Sequence, residues 1–389
     1  MKYKFPLSTS TWGPEEYEAI QKVIKSGIFT MGEHVHMFEK NFAKYIGTSY
    51  CVMVNSGSSA NLLMTAALFY TKNPKIKLKR GDEVIVPAVS WSTTYYPLYQ
   101  YGLKIKFVDI DLNTLNYDLN QLENAVTKKT RMIVAVNLLG NPNDFDRILQ
   151  IIDDKEIILI EDNCESLGAT FKGKQAGSFG VMGSYSSFFS HHICTMEGGM
   201  IVTNDEELYH IMLSLRAHGW TRDLPKYNHV CGEKKEDIFE ESFRFVLPGF
   251  NLRPLELEGA IGIKQLDRLP HIISERRKNG RLLQNTMKDH SDIIIQQEIG
   301  DSSWFGFSLV IKKKSKLKRK ILLEKLNQAG FECRPIVTGN FAKNEVVKYF
   351  NSEVYKTLTN AEHIDQMGLF IGNNPYPMIE AIKELKNIL

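Results

Sequence analysis

Tyr50-Cys51-Val52-Met53-Val54-Asn55-Ser56-Gly57-Ser58-Ser59-Ala60-Asn61 opens a segment that runs on through the apolar stretch to Tyr70. Tyr50–Val54 has the length and β-branched content of a buried strand, the serine-glycine quartet is a turn, and Asn61–Tyr70 is long enough for a helix. The same alternation recurs downstream. Val84–Pro87, Ile105–Val108, Met132–Val136, Ile157–Ile160 and Met200–Thr203 are further short apolar runs, and Asp205–Arg216 reads as a helix behind the last. Continuous apolar strands separated by helices indicate a sheet covered on both faces, a largely parallel α/β architecture.

Residues 222–242 interrupt the pattern with a polar, charged stretch that reads as a surface loop or flap. A long helical pattern then runs from Leu255 towards Arg281, followed by strand-like Ser303–Val310 and helices near Lys316–Ala329 and Met378–Leu389. The expected organisation is a large unit over 1–254 and a smaller C-terminal α+β unit over 255–389. The basic run from Lys312 to Lys320 reads as a solvated helix start after a strand.

The 389 residues include 48 basic and 45 acidic side chains, a net charge of +3, with 43% hydrophobic and 24% charged residues. This is the balance of a globular protein and not of a disordered one. It argues against nucleic acid as the partner, since such domains carry an excess of positive charge. No apolar run reaches membrane-spanning length, and Met1–Trp12 lacks the apolar core of a signal peptide, so a cytoplasmic location is expected. Cys51, Cys164, Cys194, Cys231 and Cys333 lie at least 30 residues apart. Neither a disulfide framework nor a metal site is expected from such spacing.

Three segments carry chemistry. Ser56-Gly57-Ser58-Ser59 places unpaired backbone N–H groups at a helix start, where a phosphate would be favoured; an ordinary strand-to-helix turn with a serine cap would look the same. Glu161-Asp162-Asn163-Cys164-Glu165 follows a strand, where open α/β sheets place their ligands, although acids there also serve as turn or helix caps. The third, Ser186-Ser187-Phe188-Phe189-Ser190-His191-His192-Ile193-Cys194-Thr195-Met196-Glu197-Gly198-Gly199, holds adjacent histidines before a glycine turn.

Together these pieces resemble the DegT/StrS sugar aminotransferase family of the fold-type-I pyridoxal-phosphate superfamily. The resemblance rests on Gly57-Ser58, Trp91, Asp162-x-x-Glu165-x-x-Gly168, Ser186, Glu197-Gly198-Gly199, Arg216-Ala217-His218-Gly219 and Asn251-Leu252-Arg253 before Gln265-Leu266. It implies an aspartate-aminotransferase-like fold, with a mostly parallel seven-stranded sheet in the large domain. The family's Schiff-base lysine stands seven residues before the first glycine of the Glu-Gly-Gly turn, and here that position is His191. No lysine lies between Lys174 and Lys226, so no shift of register restores it.

A histidine can pass protons near neutral pH but cannot tether an aldehyde. The resemblance therefore implies a subgroup in which pyridoxamine or pyridoxal phosphate is held without a covalent bond. In that subgroup the C3 hydroxyl of a GDP-linked 4-keto-6-deoxy sugar is removed with release of ammonia, and L-glutamate regenerates the amine cofactor. His191 would be the catalytic group. Gly57, Ser58 and Ser186 would cradle the phosphate, with Asn251 supplied by the second subunit of a homodimer. Trp91 would stack on the ring, Asp162 would pair with its nitrogen, and Glu165 would contact the ring hydroxyl or orient the substrate. His218, Arg222, Phe243 and Arg253 are candidate substrate contacts. Some relatives that deoxygenate C3 use an iron–sulfur cluster, but the scattered cysteines favour elimination without one. The competing readings are a perosamine-type aminotransferase with another base, and a cofactor-binding relative without activity.

Overall fold

The computed structural model describes residues 3–153 and 155–389. Seven strands between residues 50 and 203 build the main sheet: β1 (Tyr50–Val54), β2 (Glu83–Pro87), β3 (Lys104–Val108), β4 (Thr130–Val136), β5 (Ile158–Asp162), β6 (Met182–Ser186) and β7 (Gly199–Thr203). An eighth, β8 (Ser352–Val354), comes from the C-terminal region and adds to the edge beside β3. The order is β1-β7-β6-β5-β4-β2-β3-β8. All neighbouring pairs are parallel except those of β7, which runs antiparallel to both β1 and β6.

Two N-terminal helices, α1 (Pro14–Ser26) and α2 (Glu33–Ile46), precede the sheet. Helix α3 (Gly57–Tyr70) follows β1 and has no polar face: Ala60, Leu63, Met64, Ala66, Ala67 and Leu68 are all buried. Such a helix must be covered all round. It lies under the sheet between α4 (Ser92–Gln100), α5 (Glu206–Arg216) and β6. Arg216, at the end of α5, is fully buried and donates to Glu39 Oε1 (2.6 Å) and Met53 O (2.8 Å). This arginine of the Arg-Ala-His-Gly stretch therefore ties α5 to α2 and β1.

Helix α6 (Glu256–Met287) spans about 48 Å at 1.5 Å per residue. Its first half packs on α1 and α2, and beyond its end a second, antiparallel sheet gathers Ile293–Ile294, Gly306–Ile311, Gly368–Gly372 and Cys333–Arg334. A separate apolar cluster around Trp304, Phe307, Leu309, Leu322 and Leu385 fills that region. Residues 222–242 hold only a two-residue ladder and the short helix Ile238–Glu241, with Ile238 and Phe239 almost fully exposed. The basic run leads from the strand into the helix Arg319–Gln328, with Lys313, Lys314, Lys316, Lys318 and Lys320 exposed. No helix among the described residues is long and apolar enough to cross a membrane.

Candidate active site

The carboxyl ends of β1, β2, β4, β5 and β6 share one rim, and antiparallel β7 begins there. Ser56 caps α3 by accepting from Ser59 N (3.1 Å), which leaves the backbone donors of the first helical turn facing the rim. Gly57 is buried so tightly that a β-carbon would lie 2.7 Å from Ser186 Cβ and 2.9 Å from Cys164 Sγ. Ser58 is exposed and donates to Thr93 Oγ1 (3.0 Å), two residues beyond Trp91. Trp91 is 57% exposed, an indole at the mouth of the rim.

Asp162 closes β5 and is 5% exposed. Its Oδ2 accepts from Asn61 Nδ2 (2.8 Å) and Thr94 Oγ1 (2.8 Å), and its Oδ1 from Cys164 N (3.2 Å). Helices α3 and α4 therefore fix the carboxylate from two sides. The neighbouring Glu161 faces away and is consumed structurally by Gly177, Phe179 and Gly180 N–H groups at 2.5, 2.6 and 2.8 Å. Glu165, partly covered, accepts from Leu139 N (3.0 Å). Loss of water, with the Asp162 charge nearby, pushes its carboxyl up to about 7.

The loop from Ser187 to Gly198 leaves β6 and returns as β7. Its far end is held by Gln265 Oε1 accepting from Cys194 N (3.1 Å) and by Trp12 Nε1 donating to Cys194 O (2.8 Å). Gly198, at φ 149°, accepts at its carbonyl from Ser187 N (3.0 Å), and a β-carbon there would strike Ser187 and Thr195. Within this frame His191 is partly buried, with Nδ1 buried and without a partner. Burial, aided by the Arg276 guanidinium, pushes its imidazole down to about 4. His192 is fully buried, Nε2 lies 3.1 Å from Ser303 O, and burial holds it well below the ordinary histidine value.

The remaining candidates divide. His218, Arg222 and Phe243 gather around Trp220, at 5.4, 4.1 and 5.7 Å from its ring. Arg253 instead donates from Nε to Asn251 Oδ1 (3.0 Å), and Asn251 is exposed beside Ala217. Trp220, Asn61, Thr94 and Phe305 are not among the site candidates that the sequence offers. Asn61 and Thr94 lie close to the Gly57 turn and to Trp91, which is the one local signal that could have found them.

Residues 11–384 match the DegT/DnrJ/EryC1/StrS aminotransferase family. The chain belongs to that family. Within the DegT/DnrJ/EryC1/StrS group it is 61% identical to a GDP-4-keto-6-deoxy-D-mannose 3-dehydratase of Yersinia pseudotuberculosis, over 99% of this chain and 98% of that one. It superposes on an E. coli GDP-4-keto-6-deoxy-D-mannose-3-dehydratase with bound hydrated PLP at a TM-score of 0.98, with 61% identity and all of both chains covered. A GDP-4-keto-6-deoxymannose-3-dehydratase with a trapped PLP-glutamate geminal diamine also matches at 0.98 and 61%, covering 99% and 100%.

The rim has what a flat, anionic pyridine cofactor of this family requires. The Gly57 hollow admits no side chain, an exposed indole offers a stacking face, and a fixed carboxylate can meet a ring N–H. At position 191, where the resemblance places the family's lysine, the loop carries an imidazole, which cannot form a Schiff base.

Proposed function

We propose that the chain is a 3-dehydratase for GDP-4-keto-6-deoxy-D-mannose, using pyridoxamine phosphate held without a covalent bond. The observation that carries the reading is His191 at the tether position of an otherwise complete cofactor site. The full-length identity to enzymes of that name supports the GDP-linked sugar; the perosamine synthases are far more distant at 27–29%.

Gly57 and Ser58 N–H groups, with the Ser58 and Ser186 hydroxyls, bind the cofactor phosphate. Trp91 covers one face of the ring, and Asp162 accepts the ring N–H, oriented for it by Asn61 and Thr94. When bound, the amine form of the cofactor supplies a nitrogen that condenses with a ketone and a ring that takes up an electron pair. His191, neutral at physiological pH, takes a proton at the cofactor's C4′ carbon through Nε2, since Nδ1 is shut away. The same nitrogen then returns a proton to the departing C3 hydroxyl oxygen. Glu165, a carboxyl able to gain or lose a proton near neutrality, contacts the ring hydroxyl or orients the sugar. L-Glutamate restores the amine form.

The Trp220 cluster of His218, Arg222 and Phe243, together with Arg253, is assigned to the nucleotide-sugar. The reading includes a cytoplasmic homodimer in which each active site is shared. Exposed Asn251 and the half-exposed pair Phe29 and Leu255, which adjoin through the Glu256 N–H to Phe29 O bond, support such a contact. The division into 1–254 and 255–389 belongs to the same reading.

The test is incubation of the protein with pyridoxamine phosphate, glutamate and a panel of nucleotide-4-keto-6-deoxyhexoses. Ammonia release and loss of one oxygen from the GDP-linked sugar are expected. Formation of an aminosugar without ammonia would assign the chain to transamination instead.

A further inference from the structure

A proton-transferring histidine is usually oriented by a hydrogen bond from Nδ1 to a carbonyl or carboxylate. His191 has none: Nδ1 is buried and unpartnered. Two aromatic rings meet the imidazole instead, Phe188 at 6.0 Å between centroids with planes at 80°, and Phe305 at 5.2 Å with planes at 64°. Phe188 shares the loop with His191. Phe305 comes from the strap that enters the second sheet.

That strap is fixed independently of the histidine. Phe305 N donates to Leu139 O (3.0 Å), and Phe305 O accepts from Arg276 Nη1 (2.9 Å). Leu139 in turn donates its N–H to Glu165 Oε2 (3.0 Å). Trp304 is buried at φ 49°, and a β-carbon on Gly140 would lie 2.6 Å from Trp304 N and 2.8 Å from Phe305 N. The strap also seats His192 through Ser303 O, with the His192 ring 5.7 Å from Phe305. Arg276 and His192 are the charged or titratable groups that bear on the imidazole from this side.

We propose that Phe305 is a positioning residue for His191: its ring, anchored through the backbone to Leu139 and Arg276, sets the angle of the imidazole and keeps water from Nδ1. The inference rests on His191 being the proton-transfer group. Aromatic edge contacts orient without supplying a hydrogen bond, so the imidazole is steered while remaining free to give and take its proton at the other nitrogen. Displacement of a reacting group by about 1 Å can cost about 10²-fold in rate.

Phe305→Leu and Phe305→Ala, compared with the parent and with His191→Asn, test it. Phe305→Leu should lower kcat for ammonia release about 10- to 100-fold, with the sugar KM and cofactor absorbance unchanged. Phe305→Ala should also move the acid limb of the kcat–pH profile upward, towards the value of about 6.5 for a free imidazole. Parent-like kcat and acid limb in both variants, beside an inactive His191→Asn, would overturn the assignment. Loss of cofactor binding in step with kcat would overturn it too, because the ring would then serve only the fold. An active His191→Asn would instead bring down the reading of His191 itself.

Discussion

Gly57 and Ser186 approach so closely that a single added methyl on the glycine would sit 2.7 Å from the serine's β-carbon. Two strands that are not neighbours in the sheet, β1 and β6, thus deliver their ends to one small hollow. Gly57→Ala should push Ser186 or Cys164 aside, and overpacking of this kind costs about 1–3 kcal/mol. Titration of the variant with pyridoxal phosphate, followed by absorbance, should show affinity weakened about 10- to 100-fold. Unaltered affinity would place the phosphate elsewhere.

Replacing the imidazole with a primary amine should restore the missing tether. His191→Lys is expected to hold pyridoxal phosphate through gel filtration and to show a new absorption band that borohydride abolishes. A spectrum identical to the parent's would mean that residue 191 does not face the cofactor aldehyde.

The buried imidazole also predicts a pH profile. A base works when neutral, and with its value pushed down to about 4 His191 stays neutral well below the ordinary histidine range. The acid limb of kcat should therefore lie nearer pH 4 than 6.5. For stability the folded chain takes up this proton less readily than the unfolded one. His191 therefore costs nothing above about 6.5 and destabilises progressively as pH falls from there through 4. Removing it by His191→Asn should flatten that part of the urea-unfolding profile; a profile unchanged in slope would contradict the burial of the ring.

Glu165 has the opposite sign. Its carboxyl is raised from 4.5 to about 7 in the folded chain, so its destabilising effect grows as pH rises from 4.5 through 7 and is complete above it. Glu165→Gln keeps an oxygen for the Leu139 N–H and removes the charge. The variant should gain about 1 kcal/mol in unfolding free energy at pH 8, after allowance for partial exposure, and nothing at pH 4. An equal gain at both values would point to packing.

Much of the main sheet was legible because its strands are apolar on both faces. Tyr50–Val54 needs no correction at either end, and the other runs are off by one or two residues. Two strands gave no such sign. Met182-Gly-Ser-Tyr-Ser is small and polar because its residues press against Gly177 and Asn61, and Ser352–Val354 is a half-exposed edge. The helix after β1 begins at Gly57, four residues before its apolar run, because Ser56 supplies the cap. In the site, the turn, the Asp162 carboxylate and the histidine loop stand out through local residue pattern and resemblance. Their supports do not: Thr94 reaches Asp162 across 68 residues, and Phe305 meets His191 across more than 100. Nothing in the spacing of such pairs announces the contact.

Because β7 runs against both its neighbours, the segment bearing His191 departs and comes back at the same rim of strand ends. The excursion is seated by its own buried residues, His192 and Ile193, and by the bonds of Cys194 to Trp12 and Gln265. On the proposed reading, an exchange confined to residue 191 would therefore redirect the chemistry from moving nitrogen to expelling oxygen while the strands beneath are left as they are.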